Sequence, residues 1–155
     1  MKRLYHSLSF MAFAFLWSFS VVHAQVALTT INGQYTQNFN TLASTGTTND
    51  VSTLPVGWTF VESGTNANTT YAAGTGSSNT GNTYSFGLDA SDRSLGGLQS
   101  GTLIPTLGAR FVNNTSTIIN SLQITYWGEQ WRLGTSGRAD RLDFQYSLDV
   151  PECGY

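Results

Sequence analysis

The chain predicts an all-β fold, an antiparallel β-sandwich or jelly roll preceded by a signal peptide. Three observations carry that expectation. No segment beyond the first two dozen residues keeps a helical period. Several stretches alternate apolar and polar residues with period two, as half-buried strands do. Between them lie clusters of Gly, Ser, Thr and Asn, the residues that make turns.

The amino terminus has the order of an export signal. Lys2 and Arg3 give a positive start, Leu8 to Val22 form an apolar run, and Val22-His23-Ala24 is a small-residue cleavage site. The apolar run is about 15 residues, short of the ~20 that a membrane-spanning helix needs. Residues 1–24 are therefore expected to leave as a signal peptide, with no membrane span after cleavage. Residues 25–148 form one sandwich domain, and 149–155 an irregular tail.

The strands follow in order. Tyr35–Phe39, Trp58–Glu62, Thr83–Leu88 and Ala109–Asn113 are the shorter candidates. Ile118–Arg132 is stronger, with Ile118, Leu122, Ile124 and Tyr126 on one face. Arg141–Leu148 is the clearest: Leu142, Phe144, Tyr146 and Leu148 alternate with Arg141, Asp143, Gln145 and Ser147. If Phe144 is buried, Phe144→Ala should cost ~3–5 kcal/mol. Turns are expected at Ser44–Asp50, Ser63–Asn68, Gly74–Asn82 and Gly134–Gly137. The Gly74–Gly81 run is a surface loop rather than a phosphate loop, because neither Lys-Ser/Thr nor a helix follows it.

Pro151 ends strand pairing, and no further strand follows to cover the edge left by Arg141–Leu148. That pattern points to a truncated reading frame whose native product is longer.

Composition excludes more than it assigns. Both histidines, His6 and His23, leave with the signal, and no lysine remains after it. Without imidazole, Ser-His-Asp and Cys-His hydrolysis lose their base, and most zinc sites lose a ligand. Beyond the signal five arginines face nine carboxylates, a net of −4. That is no footprint for nucleic acid. Cys153 stands alone, so no internal disulfide forms. Carboxylate chemistry is what survives. The domain is expected to be non-catalytic.

Two constellations stand out. On an extended strand Trp127, Glu129 and Trp131 share a face. Two indoles beside a carboxylate suit a sugar ring. The same residues equally form a second packed face, with Glu129 paired to Arg132, Arg138 or Arg141. Glycoside hydrolysis would need a second carboxylate, for which Asp143 is the candidate. Asp89 and Asp92 form a short acidic loop before Arg93. It is a weak calcium candidate without the full spacing of a calcium loop, and a turn with a local ion pair to Arg93 is the plainer expectation. No other cofactor is implied.

Five stretches taken together have a familiar look: Asn38-Phe39-Asn40-Thr41-Leu42, Leu54-Pro55-Val56-Gly57-Trp58, Gly96–Gly101, Gly128-Glu129-Gln130-Trp131-Arg132 and Asp140–Ser147. The region from Gln37 to Leu148 resembles the N-terminal β-sandwich regions of large bacterial secreted and cell-surface proteins. In such proteins lamin-tail-like, immunoglobulin-like, nuclease or phosphoesterase domains follow, or sorting signals of the PEP-CTERM or type IX kind. The resemblance implies an extracellular module that contacts carbohydrate or cell-surface components, or else the leading part of a secreted hydrolase. It carries over no catalytic residue.

Overall fold

The computed structural model describes residues 24–137 and 139–148. The expected signal peptide, save Ala24, and the tail with Cys153 lie outside the described residues. The fold is all-β. Among the described residues eight strands occur, β1 (Val26–Leu28), β2 (Asn49–Asp50), β3 (Trp58–Ser63), β4 (Thr70–Gly74), β5 (Asn82–Phe86), β6 (Ser94–Leu98), β7 (Ile104–Ala109) and β8 (Phe111–Asn113). One 3-10 turn, Val51–Thr53, is capped by the Asp50 carboxylate on the Ser52 N–H at 2.7 Å.

Two layers hold the core. The first is a four-stranded sheet ordered β2-β4-β5-β6, and the second is the antiparallel ribbon β3–β7. A third pair, β1–β8, closes the edge. Both β1–β8 and β4–β5 run parallel, so the sheets are mixed rather than purely antiparallel. Parallel neighbours usually need a long crossover. Here residues 75–81 alone return the chain from β4 to the start of β5.

On β3 the side chains of Trp58, Phe60 and Glu62 share one face, opposite Ala109, Leu107 and Pro105 of β7. Phe60 meets Tyr71 of β4 edge-on, ring centroids 6.4 Å apart. Leu42 and Leu54 complete this buried cluster, with Phe39, Trp58, Leu95 and Leu107 packed around it. Pro105 offers no N–H, which a ribbon paired on one side tolerates. Leu54-Pro55-Val56-Gly57-Trp58 is a tight turn: the Trp58 N–H reaches the Pro55 carbonyl at 2.9 Å, with Gly57 at φ +83°. A Cβ on Gly57 would sit 2.6 Å from the Val26 side chain and 2.7 Å from its backbone nitrogen. Only glycine lets β1 pass there.

Strand β5 is buried on both faces. Thr83 and Ser85 point one way and are fully buried; Tyr84 and Phe86 point the other and stack at 5.0 Å. Gly96 of β6 lies beside this second face, where a Cβ would come within 2.9 Å of the Phe86 ring.

The expected strands fare unevenly. Trp58–Glu62 and most of Thr83–Leu88 are strands. Ala109–Asn113 breaks at Arg110, whose N–H turns to the Gly57 carbonyl while its own carbonyl receives the Val26 N–H. Tyr35–Phe39 packs without pairing: Phe39 meets Trp58 edge-on at 4.8 Å, and the Tyr35 hydroxyl accepts the Trp58 indole N–H at 2.9 Å.

The two clearest sequence patterns, Ile118–Arg132 and Arg141–Leu148, contain no strand. Their alternation is genuine, but a strand needs a ladder partner and a layer to cover its apolar face. Neither is present among the described residues. Phe144 is 55% exposed, so the burial that Phe144→Ala presupposed does not hold.

Candidate functional site

Residues 129–132 lie beside the second face of β5. Trp131 stacks on Phe86, centroids 6.1 Å apart and planes 9° from parallel. This extends the Tyr84–Phe86 stack to three rings. Gly76, at φ +81°, lies so near the Trp131 backbone that a Cβ there would meet its carbonyl oxygen at 2.0 Å. Arg132 then donates to the carbonyls of Ser77 at 3.1 Å and Gly76 at 3.4 Å. The loop 75–81 is held from the other side by the Tyr84 hydroxyl, which donates to the Thr80 carbonyl at 2.8 Å.

Glu129 is fixed by one oxygen. Its Oε2 accepts the Ser94 hydroxyl at 2.5 Å and the Trp131 indole N–H at 2.8 Å. Oε1 carries no hydrogen bond among the described residues. Trp127 is 93% exposed, with no ring or hydrogen-bond partner among the described residues.

The structure therefore divides the three residues named from the sequence. Trp131 is a packing residue, Glu129 is an anchored carboxylate with one open oxygen, and Trp127 is a bare indole. Among the described residues Glu129 pairs with no arginine: Arg132 faces the loop carbonyls, and Arg141 holds Asp143 at 2.8 Å through both carboxylate oxygens. Arg138 lies outside the described residues. Asp143, the candidate second carboxylate, is thus engaged elsewhere.

Beside this site lies an open cleft of about 430 Å³. Thr47, Thr75, Ser78, Thr80, Asn82 and Tyr84 line it, with no charged side chain.

At the acidic loop, Asp89 Oδ1 accepts the Ser91 N–H and hydroxyl, each at 2.7 Å. These bonds, the hydroxyl's first, hold the Asp89 carboxyl below the usual carboxylate range. The expected ion pair with Arg93 takes a different form. Arg93 is 4% exposed, and its Nη1 donates to the backbone carbonyl of Asp89 at 3.0 Å. Its Nε reaches the Ser85 hydroxyl at 2.9 Å, and Nη2 takes the carbonyls of Ser85 at 2.5 Å and Ala43 at 3.3 Å. No cluster of three or more His, Cys, Asp or Glu side chains suited to a metal gathers at Asp89 and Asp92, or elsewhere among the described residues.

Sequence reasoning did not foresee that two charged residues are buried. Arg93 is one. Glu62 is the other, 9% exposed and fully satisfied. Its Oε1 accepts the Thr83 N–H at 2.7 Å and hydroxyl at 2.8 Å; its Oε2 accepts the Asn68 N–H and side-chain amide, each at 3.0 Å. The signal was present: Glu62 stands two and four residues from Phe60 and Trp58, on the inward register of a strand the sequence did predict. Glu62 ties the ribbon to the sheet, Arg93 ties β5 to the 89–93 loop and to Ala43, and neither is accessible to a ligand.

No protein-family model, curated protein or solved structure matches the chain.

Proposed function

We propose that the chain is a non-catalytic, extracellular β-sandwich module of a bacterial secreted or cell-surface protein, and that it contacts glycans through Trp127 and Glu129. The observation that supports this reading is the exposed Trp127 indole two residues from a carboxylate with one anchored and one open oxygen. In extended chain that spacing is ~6.7 Å, about the width of one sugar ring. The apolar C–H face of a pyranose stacks on the indole. Glu129 Oε1 then accepts hydroxyl hydrogens, while the Ser94 and Trp131 bonds prevent the carboxylate from swinging away. The export signal and the loss of every imidazole with it favour a module that binds rather than one that turns over a substrate. A single indole and carboxylate in an open site give millimolar affinity, about −4 kcal/mol.

The test is a glycan array probed with the exported chain, with Trp127→Ala and with Glu129→Gln, each shown folded by circular dichroism. The parent should bind at least one glycan class, and both variants should lose most of that signal. A folded parent that binds nothing, or a Trp127→Ala variant that binds as well as the parent, would remove this reading.

A further inference from the structure

The segments 118–126 and 141–148 meet at one ring pair. Tyr126 and Phe144 stack with centroids 6.1 Å apart and planes 19° from parallel. Period-two alternation runs outward from that pair in both segments. It puts Leu122, Ile124, Tyr126, Phe144, Tyr146 and Leu148 on the apolar side, and each is more than half exposed. The residues between them are Gln123, Thr125, Asp143, Gln145 and Ser147. Two unpaired segments that expose this much apolar side chain are marginal in water unless it is covered.

We propose that a second copy of this chain covers it. The two segments of one copy pack apolar face to apolar face on the same two segments of the other, about a two-fold axis. Two features favour a copy of itself over another partner. None of the six side chains is charged, so the face selects no partner by charge complementarity. An uncharged apolar surface also meets its own copy about a two-fold axis without like-charge repulsion. The area is sufficient. At roughly 100 Å² from each half-exposed side chain, six give ~600 Å² per copy. Two copies then bury ~1,200 Å², the lower bound for a specific interface. That size implies a reversible dimer of micromolar affinity rather than an obligate one.

The experiment is sedimentation velocity on the exported chain over roughly 1–300 µM. Monomer at the lowest concentration should give way to a discrete dimer. Ile124→Asp and Leu148→Asp, one in each segment, should each raise the dissociation constant at least tenfold. Val61→Asp, on the exposed outer face of β3, should leave it unchanged. Circular dichroism checks the fold of each variant, and either segment variant is sufficient if the other fails to fold. A parent that stays monomeric throughout overturns the proposal. So do open-ended larger species, a dimer indifferent to folded segment variants, or one lost equally with Val61→Asp.

Discussion

Glu62→Gln separates the role of a buried carboxylate from that of a side chain of the same shape. Glu62 receives four donors on two oxygens, and none of them is a cation. Glutamine keeps the shape but exchanges one acceptor for an NH2. If that NH2 faces Asn68, it meets a backbone N–H that cannot reverse. The Asn68 amide cannot flip cheaply either, because its Oδ1 already serves Thr70 through two bonds of 2.8 Å. If it faces Thr83, the hydroxyl turns round to accept, and the Thr83 N–H keeps a 2.9 Å bond to Asn82 Oδ1. The second orientation wins. One charge-assisted bond is lost and others weaken, so the expected cost is ~2–3 kcal/mol. Glu62→Ala removes all four bonds, leaving the Thr83 N–H and the Asn68 amide only Asn82 Oδ1, at 2.9 and 3.4 Å, and should cost more, ~4 kcal/mol, a large share of a ~5–15 kcal/mol stability. The assay is guanidinium unfolding followed by near-ultraviolet circular dichroism, comparing midpoints at constant slope. If both variants lie within ~0.5 kcal/mol of the parent, or Gln costs as much as Ala, the hydrogen-bond reasoning is refuted.

Two further outcomes are expected. Gly57→Ala combines a positive φ with a contact of 2.6 Å to Val26 and should cost ~2 kcal/mol or more, whereas Gly101→Ala, with open space around it, should be near neutral; the same unfolding assay reads both. Because hydrogen bonds from Ser91 lower the Asp89 pKa in the folded protein, that carboxylate stabilises the fold above the unfolded value of 3.8 and ceases to do so as pH falls through the lower folded value. Asp89→Ala should therefore lower the unfolding midpoint at neutral pH and converge with the parent as pH falls through that lower folded value, and a gap that widens in acid would contradict the assignment.

How much of this was legible in the sequence depends on how local each feature is. Strand β3 follows from residues a few positions apart, and it is in place. The five-residue β4 and β6 were not foreseen. Tyr71-Ala72-Ala73 and Leu95-Gly96-Gly97 do not alternate, because each is placed by its neighbour in the sheet. The error at Ile118–Arg132 and Arg141–Leu148 is the converse. Alternation specifies which side chains share a face, but only a partner strand turns that face into a sheet. The site shows the same division. Trp127 and Glu129 could be named from residue type and spacing, but the exposure of the first and the anchoring of the second by Ser94 could not be read that way. The packing of Trp131 could not, since it depends on Phe86, 45 positions away, and on the room left by Gly76.

The buried polar groups give these separate features a common cause. The larger apolar cluster holds only four buried residues, Leu42, Leu54, Phe60 and Tyr71. A chain rich in Thr, Ser, Asn and Gly cannot fill two layers with aliphatic side chains. Beside that cluster directed bonds take over: Glu62 to Thr83 joins the layers at one end of β5, and Arg93 to Ser85 ties β5 to the start of β6 at the other. No buried side-chain polar atom among the described residues is left without a partner. Directed bonds fix register more sharply than apolar contact does, because a shift of one residue on β5 would offer Tyr84 where Thr83 or Ser85 is required. Two bonded residues on one face of β5 thereby determine that Tyr84 and Phe86 occupy the other. Those rings seat Trp131, and Trp131 in turn holds the Glu129 carboxylate at the proposed glycan site.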